Sequence, residues 1–71
     1  MERLDLRSEN CPIPLITVKL KLKQMAAGEQ LCVLLSDPGS VKDVPRLLAK
    51  KAIPFERRLR DSATELTITK P

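Results

Sequence analysis

Apolar and polar positions alternate over Leu4-Asp5-Leu6-Arg7, the period-two signature of a short strand. Ser8, Glu9 and Asn10 are turn formers, and Cys11-Pro12-Ile13-Pro14 follows them. The next stretch fits two periods. Ile16 to Lys23 alternates like a strand, yet Leu15, Val18, Leu22, Met25 and Ala26 fall on one helical face. Length and composition favour the helix. No turn signal interrupts the chain between Pro14 and Ala27, strands average about 5–6 residues, and Lys, Leu, Gln, Met and Ala are good helix formers. Pro12 suits a first helical turn and Gly28 a C-terminal cap. A helix over Pro12–Ala27 turns Ile13, Ile16 and Leu20 away from its main apolar face, leaving a small apolar patch beside Cys11.

Leu31-Cys32-Val33-Leu34-Leu35 is a continuous apolar run, the mark of a strand buried on both faces. Asp37-Pro38-Gly39-Ser40 predicts a turn. Ser40 with Asp43 then resembles a capping box, and Val41, Val44, Leu47 and Leu48 carry helical spacing to about Lys51. Pro45 fits poorly in a helix that starts at Ser40, because it removes a backbone bond there. Phe55–Arg60 and Thr64–Thr69 alternate around Asp61-Ser62-Ala63 and predict a hairpin. Arg57 lies in register with Phe55 and Leu59, so it must snorkel, find a partner or sit at a bulge. The predicted order is β-α-β-α-β-β.

Composition narrows the chemistry. Seventy-one residues allow one domain, over 1–71, with a thin core. That core must be aliphatic, since Phe55 is the only aromatic side chain. There is no His, which excludes a Ser-His-Asp triad, a Cys-His pair and His-ligated zinc. Two cysteines are too few for a four-thiolate metal site or a disulfide scaffold. No cofactor or metal site is expected. No apolar stretch approaches the ~20 residues that span a bilayer. Arg3, Asp5 and Arg7 interrupt any signal-peptide pattern, so the expected location is the reducing cytoplasm. The net charge of +4 is a mild bias toward anionic partners.

Cys11 is the most informative residue. It follows a turn and opens a helix, whose N-terminal dipole favours a thiolate. The plainer alternative is an inert buried thiol. Cys-Pro-Ile-Pro lacks the second thiol of a Cys-x-x-Cys pair, which disfavours dithiol exchange, and no evident base accompanies Cys11, which disfavours acyl transfer. A single sulfur that accepts and hands on a group remains, and a persulfide suits it. Cys32, mid-run in the apolar strand, reads as packing.

Leu4-Asp5-Leu6-Arg7, Cys11-Pro12-Ile13-Pro14-Leu15, Gly28-Glu29, Asp37-Pro38 and Asp43-Val44-Pro45 together resemble the TusA/SirA-like family of small sulfur carriers. The resemblance covers almost the whole chain, and Cys-Pro-x-Pro is its most specific feature. It implies a two-layer α/β sandwich (β-α-β-α-β-β) with two helices on one face of a mixed four-stranded sheet. It implies that Cys11 accepts sulfur as a persulfide from a cysteine desulfurase or another sulfur donor and passes it to an acceptor protein. The destination would be tRNA thiolation, cofactor synthesis or sulfur metabolism. Pro12 and Pro14 match the motif prolines, and Asp37 matches an acidic position placed near the cysteine. Lys19 stands where a family member can carry Arg, and Ser8 where Gly is common. Ile13, Ile16 and Leu20 are the candidate partner-docking patch.

Three other readings compete. One is a non-catalytic regulatory or binding module of the same fold. Another is RNA or acidic-protein binding through the spaced basic residues, which more often form a solvated face. Direct RNA readout is disfavoured, because Phe55 alone cannot provide a stacking platform. The last is a Cys11–Cys32 redox pair.

Overall fold

A computed structural model describes residues 2–71. The elements are β1 (Glu2–Asp5), α1 (Ile13–Gln24), β2 (Gln30–Leu35), α2 (Pro38–Lys50), β3 (Phe55–Arg60) and β4 (Ala63–Thr69). They form one mixed sheet in the order β1-β2-β4-β3. β1 runs parallel to β2, while β4 is antiparallel to both β2 and β3. The β-α-β-α-β-β order and the two-layer architecture are those expected.

Alternation along the central strands decides where the core lies. Leu31, Val33 and Leu35 of β2 pair with Ile68, Leu66 and Thr64 of β4. That face packs on Val18 and Leu22 of α1 and on Val44 and Leu48 of α2. The intervening residues, Cys32 and Leu34 on β2 with Glu65 and Thr67 on β4, point to the other face. β2 is therefore buried on both faces, but by unequal means: helices cover one, and flanking strand side chains screen the other.

Several boundaries differ from those the sequence predicts, each for a local reason. β1 ends at Asp5 rather than Arg7, although the Leu6 N–H still donates to the Leu34 carbonyl at 3.0 Å and Leu6 is buried. α1 begins one residue after Pro12, which occupies the N-cap position, with Pro14 in the first turn. It ends at Gln24, not Ala27, because Met25 turns to extended backbone. Gly28 is therefore not the cap. It takes φ +88° in the following turn, a conformation that favours glycine, and its N–H donates to the Lys70 carbonyl. Pro14, Val18 and Leu22 form the buried stripe of α1, with Leu15 and Met25 beside it.

The capping box at Ser40 and Asp43 is also corrected. Asp37 is the N-cap of α2, Pro38 follows at the first position, and the Asp37 carboxylate accepts the Ser40 N–H. The helix thus starts earlier, and Pro45 lies well inside it. Arg57 needs no bulge, because β3 pairs with β4 without interruption. It is exposed along with Leu59, which is 82% accessible, so that half of the edge strand overhangs the helical layer.

Candidate functional site

Parallel pairing of β1 with β2 brings the ends of both strands, and so the starts of both helices, to one edge of the molecule. The β1–α1 loop crosses the first turn of α2 there. Cys11 lies in that loop, exposed, as a free thiol. Its N–H donates to Asp37 Oδ2 at 3.1 Å. The same oxygen accepts the Ser40 N–H at 2.9 Å and the Ser40 hydroxyl at 3.2 Å. Asp37 thus caps α2 and ties down the cysteine loop at once. Gly39 permits the close crossing: a Cβ there would stand 3.3 Å from the Cys11 Cβ and 3.1 Å from Asp37 Oδ2.

The sulfur itself faces a second carboxylate. Cys11 S–H donates to Asp43 Oδ2 at 3.6 Å, from the next turn of α2. This changes the electrostatics expected from a helix N-terminus. Partial loss of water around the sulfur raises the Cys11 pKa above its usual value, and the Asp43 hydrogen bond, the Asp43 charge and the Asp37 charge push it further the same way. The Ser40 hydroxyl works in the opposite direction. These surroundings favour the Cys11 thiol over the thiolate that a helix N-terminus alone would favour. Asp37 moves the other way: the Ser40 and Cys11 N–H groups hold its carboxyl below the usual range.

The residues singled out from sequence divide into two groups. Cys11, Pro12, Pro14 and Asp37 come together. Pro14 is buried under the first turn of α1, and Pro12 follows Cys11 through a cis peptide bond. Ile13, Ile16 and Leu20 run along the outer face of α1, 48%, 48% and 56% exposed. Lys19 sits elsewhere. With Lys23, Lys51 and Lys70 it rims a groove of about 250 Å³ over Leu22 and Leu47, between the helices. Gly39, Ser40 and Asp43 are site residues that sequence reasoning misses. Asp37-Pro38 is the available signal, since an Asp cap followed by Pro at the first helical position sets the phase that turns Ser40 and Asp43 toward Cys11.

Cys32 is buried, and its S–H donates to Glu65 Oε2 at 3.3 Å. Burial raises its pKa, and the Glu65 contact adds to that. Among the described residues, no group of three or more His, Cys, Asp or Glu side chains is placed to hold a metal ion, and no helix is long and apolar enough to cross a membrane.

The sequence profile of the family described as sulfurtransferase TusA matches residues 2–70. A protein of Archaeoglobus fulgidus described as a proposed sulfur carrier is 49% identical over 45 residues, covering 63% of this chain and 51% of that one. The sulfur carrier protein TusA of Allochromatium vinosum is 45% identical over 42 residues, 59% of this chain and 55% of its own. The matches thus span about half the length of these curated relatives. The crystal structure of a SirA-like protein from Desulfitobacterium hafniense superposes with a TM-score of 0.87 at 27% identity, covering 97% of this chain and 96% of that one.

Proposed function

This chain belongs to the TusA sulfurtransferase family, and from that premise we propose that Cys11 carries a sulfane sulfur as a persulfide between a donor and an acceptor protein. One observation carries the reading: a single exposed thiol fixed by its backbone N–H to Asp37, with open solvent in front of it. A carrier needs a sulfur that partner proteins can reach, on a backbone that does not wander. The anchored loop supplies both.

The donor is a cysteine desulfurase or another persulfide-bearing protein, and the acceptor another thiol protein in tRNA thiolation, cofactor synthesis or sulfur metabolism. Ile13, Ile16 and Leu20 form the docking face, since they are exposed apolar side chains on the helix that begins beside Cys11. Pro12 and Pro14 stiffen the loop around the sulfur. We place the chain in the reducing cytoplasm, where an exposed thiol stays available. Direct nucleic-acid binding has less support, because Phe55 packs against the core and offers no stacking platform.

The test is incubation with a cysteine desulfurase and cysteine, followed by mass analysis. The expected product carries one added sulfur on Cys11, is absent from Cys11→Ser and present in Cys32→Ser. An adduct that survives Cys11→Ser and disappears in Cys32→Ser overturns the assignment.

A further inference from the structure

The chain carries a net charge of +4, yet its one exposed thiol stands between two carboxylates. The two are not equivalent. Asp37 is satisfied by the Ser40 N–H, the Ser40 hydroxyl and the Cys11 N–H, all on Oδ2. Asp43 takes only the Cys11 S–H among the described side-chain hydrogen bonds, and no described salt bridge includes it. Its helix neighbours Lys42 and Arg46 are exposed and pair with neither carboxylate.

Among the described residues, no cation of the surrounding elements forms a salt bridge with either carboxylate. The first turn of α1 holds no ionisable residue in its sequence, Ile13-Pro14-Leu15-Ile16. In the β1–α1 loop, Arg7 is held by Asp5 through bonds of 2.7 and 2.8 Å, and Glu9 is another carboxyl. Asp61 in the β3–β4 turn adds negative charge near Arg7. Asp43 is half-buried, bonded to the Cys11 sulfur and paired with no cation among the described residues, so it is a negative charge that a docking partner can neutralise.

We propose that Asp43 is a positioning residue that keeps the Cys11 sulfur protonated in the free chain, and that a Lys or Arg side chain of the docked sulfur donor, pairing with Asp43, releases the sulfur as a nucleophile. It builds on Cys11 as the sulfur-accepting residue. A thiol that donates to a carboxylate resists ionisation, because the product would set two negative charges side by side. A guanidinium or ammonium on Asp43 removes that repulsion and adds attraction for the thiolate. The freed Cys11 thiolate then attacks the outer sulfur of the donor's R–S–S–H. A new S–S bond forms on Cys11 and the donor's S–S bond breaks. R–S⁻ leaves with the electron pair and takes up a proton equivalent to the one Cys11 gave up. No external oxidant or reductant enters. The raised pKa of Cys11 in the free chain agrees with this arrangement. Its consequence is selectivity: the sulfur is quiet toward small electrophiles and persulfides and reacts on a donor that brings the cation.

The test uses the Cys32→Ser background, so that Cys11 is the only thiol. The rate of Cys11 alkylation by iodoacetamide is followed against pH for the parent, Asp43→Asn and Asp43→Glu. The expected result is a midpoint at lower pH in Asp43→Asn, with alkylation at pH 7 faster by about threefold to tenfold if the midpoint falls by one pH unit. Asp43→Glu keeps the parent profile. A profile unmoved in Asp43→Asn, with circular dichroism unchanged, overturns the proposal. The docking half is tested by sulfur loading at pH 7 from glutathione persulfide and from a cysteine desulfurase with cysteine. Asp43→Asn is expected to load faster from glutathione persulfide and at least tenfold more slowly from the desulfurase. Undiminished loading from the desulfurase overturns the cation pairing. If Cys11 loads from neither donor in the parent, the relay reading falls, and the alkylation profile still decides whether Asp43 holds the proton.

Discussion

Cys11 and Asp37 stand 26 residues apart in sequence and are joined by one hydrogen bond, from the cysteine N–H to the aspartate Oδ2. The oxygen that fixes the loop also caps α2. Fold and site are therefore coupled through a single carboxylate, and one substitution tests both.

Asp37→Ala removes the cap and frees the loop. Loss of an N-cap of this kind in a domain this small lowers Tm by about 4–8 °C. The Cys11 amide proton is expected to exchange faster with solvent as well. Asp37→Asn keeps an acceptor oxygen and is expected to restore most of the Tm. A Tm unchanged in Asp37→Ala contradicts the cap.

The capping residue also shows how far the sequence can be read. Helical spacing at Val41, Val44 and Leu48 locates α2, and the apolar run at Leu31–Leu35 locates the central strand, because burial imposes those periods directly. The cap predicted at Ser40 is late, since Ser40 and Asp43 have the chemistry of a capping box and only packing shows that Asp43 faces a sulfur instead. Cys11 and its prolines are legible, because a turn, a Cys and Pro-x-Pro are adjacent in the chain. The pair of carboxylates around the sulfur is not, since it comes from another element folded across it. Arg57 looks anomalous because period two assumes that the helical layer covers the whole strand, and here it does not.

The β3–β4 hairpin turns through Asp61 and Ser62, at φ +48° and +66°. Both central residues lie in the left-handed region, as in a two-residue turn that prefers Asp-Gly or Asn-Gly. Ser62→Gly relieves the steric cost and is expected to stabilise the domain by about 0.5–1 kcal/mol. Urea unfolding measures it, and a lower midpoint contradicts the turn geometry.

Asp5 accepts two hydrogen bonds from the Arg7 side chain and one from its N–H. The side-chain bonds, with the backbone bond, lower its pKa from 3.8 to about 2. A depressed carboxyl contributes stability that is full above its unfolded pKa and disappears as pH falls through the folded one. The contribution is therefore complete above about pH 4 and lost toward pH 2. NMR titration of the Asp5 carboxyl is expected to show a midpoint near 2, returning toward 3.8 in Arg7→Ala.

Ile16 is half exposed on the outer face of α1. Ile16→Glu is expected to change stability by no more than about 0.5 kcal/mol, as for other surface positions. Sulfur loading of Cys11 from a cysteine desulfurase is expected to slow at the same time. Loading at the parental rate argues against this face as the docking surface.

The two thiols lie on different sides of the sheet. Cys11 rides over the first turn of α2, in the helical layer, while Cys32 points from the middle of β2 to the opposite face, bonded to Glu65. A persulfide beside a second thiol is short-lived: the neighbour attacks the inner sulfur, a disulfide closes and hydrosulfide escapes. In this fold the backbone of the sheet stands between the two sulfurs. The second cysteine can serve the core without becoming a leak, so a sulfur atom placed on Cys11 by the proposed relay would meet no second thiol of its own chain.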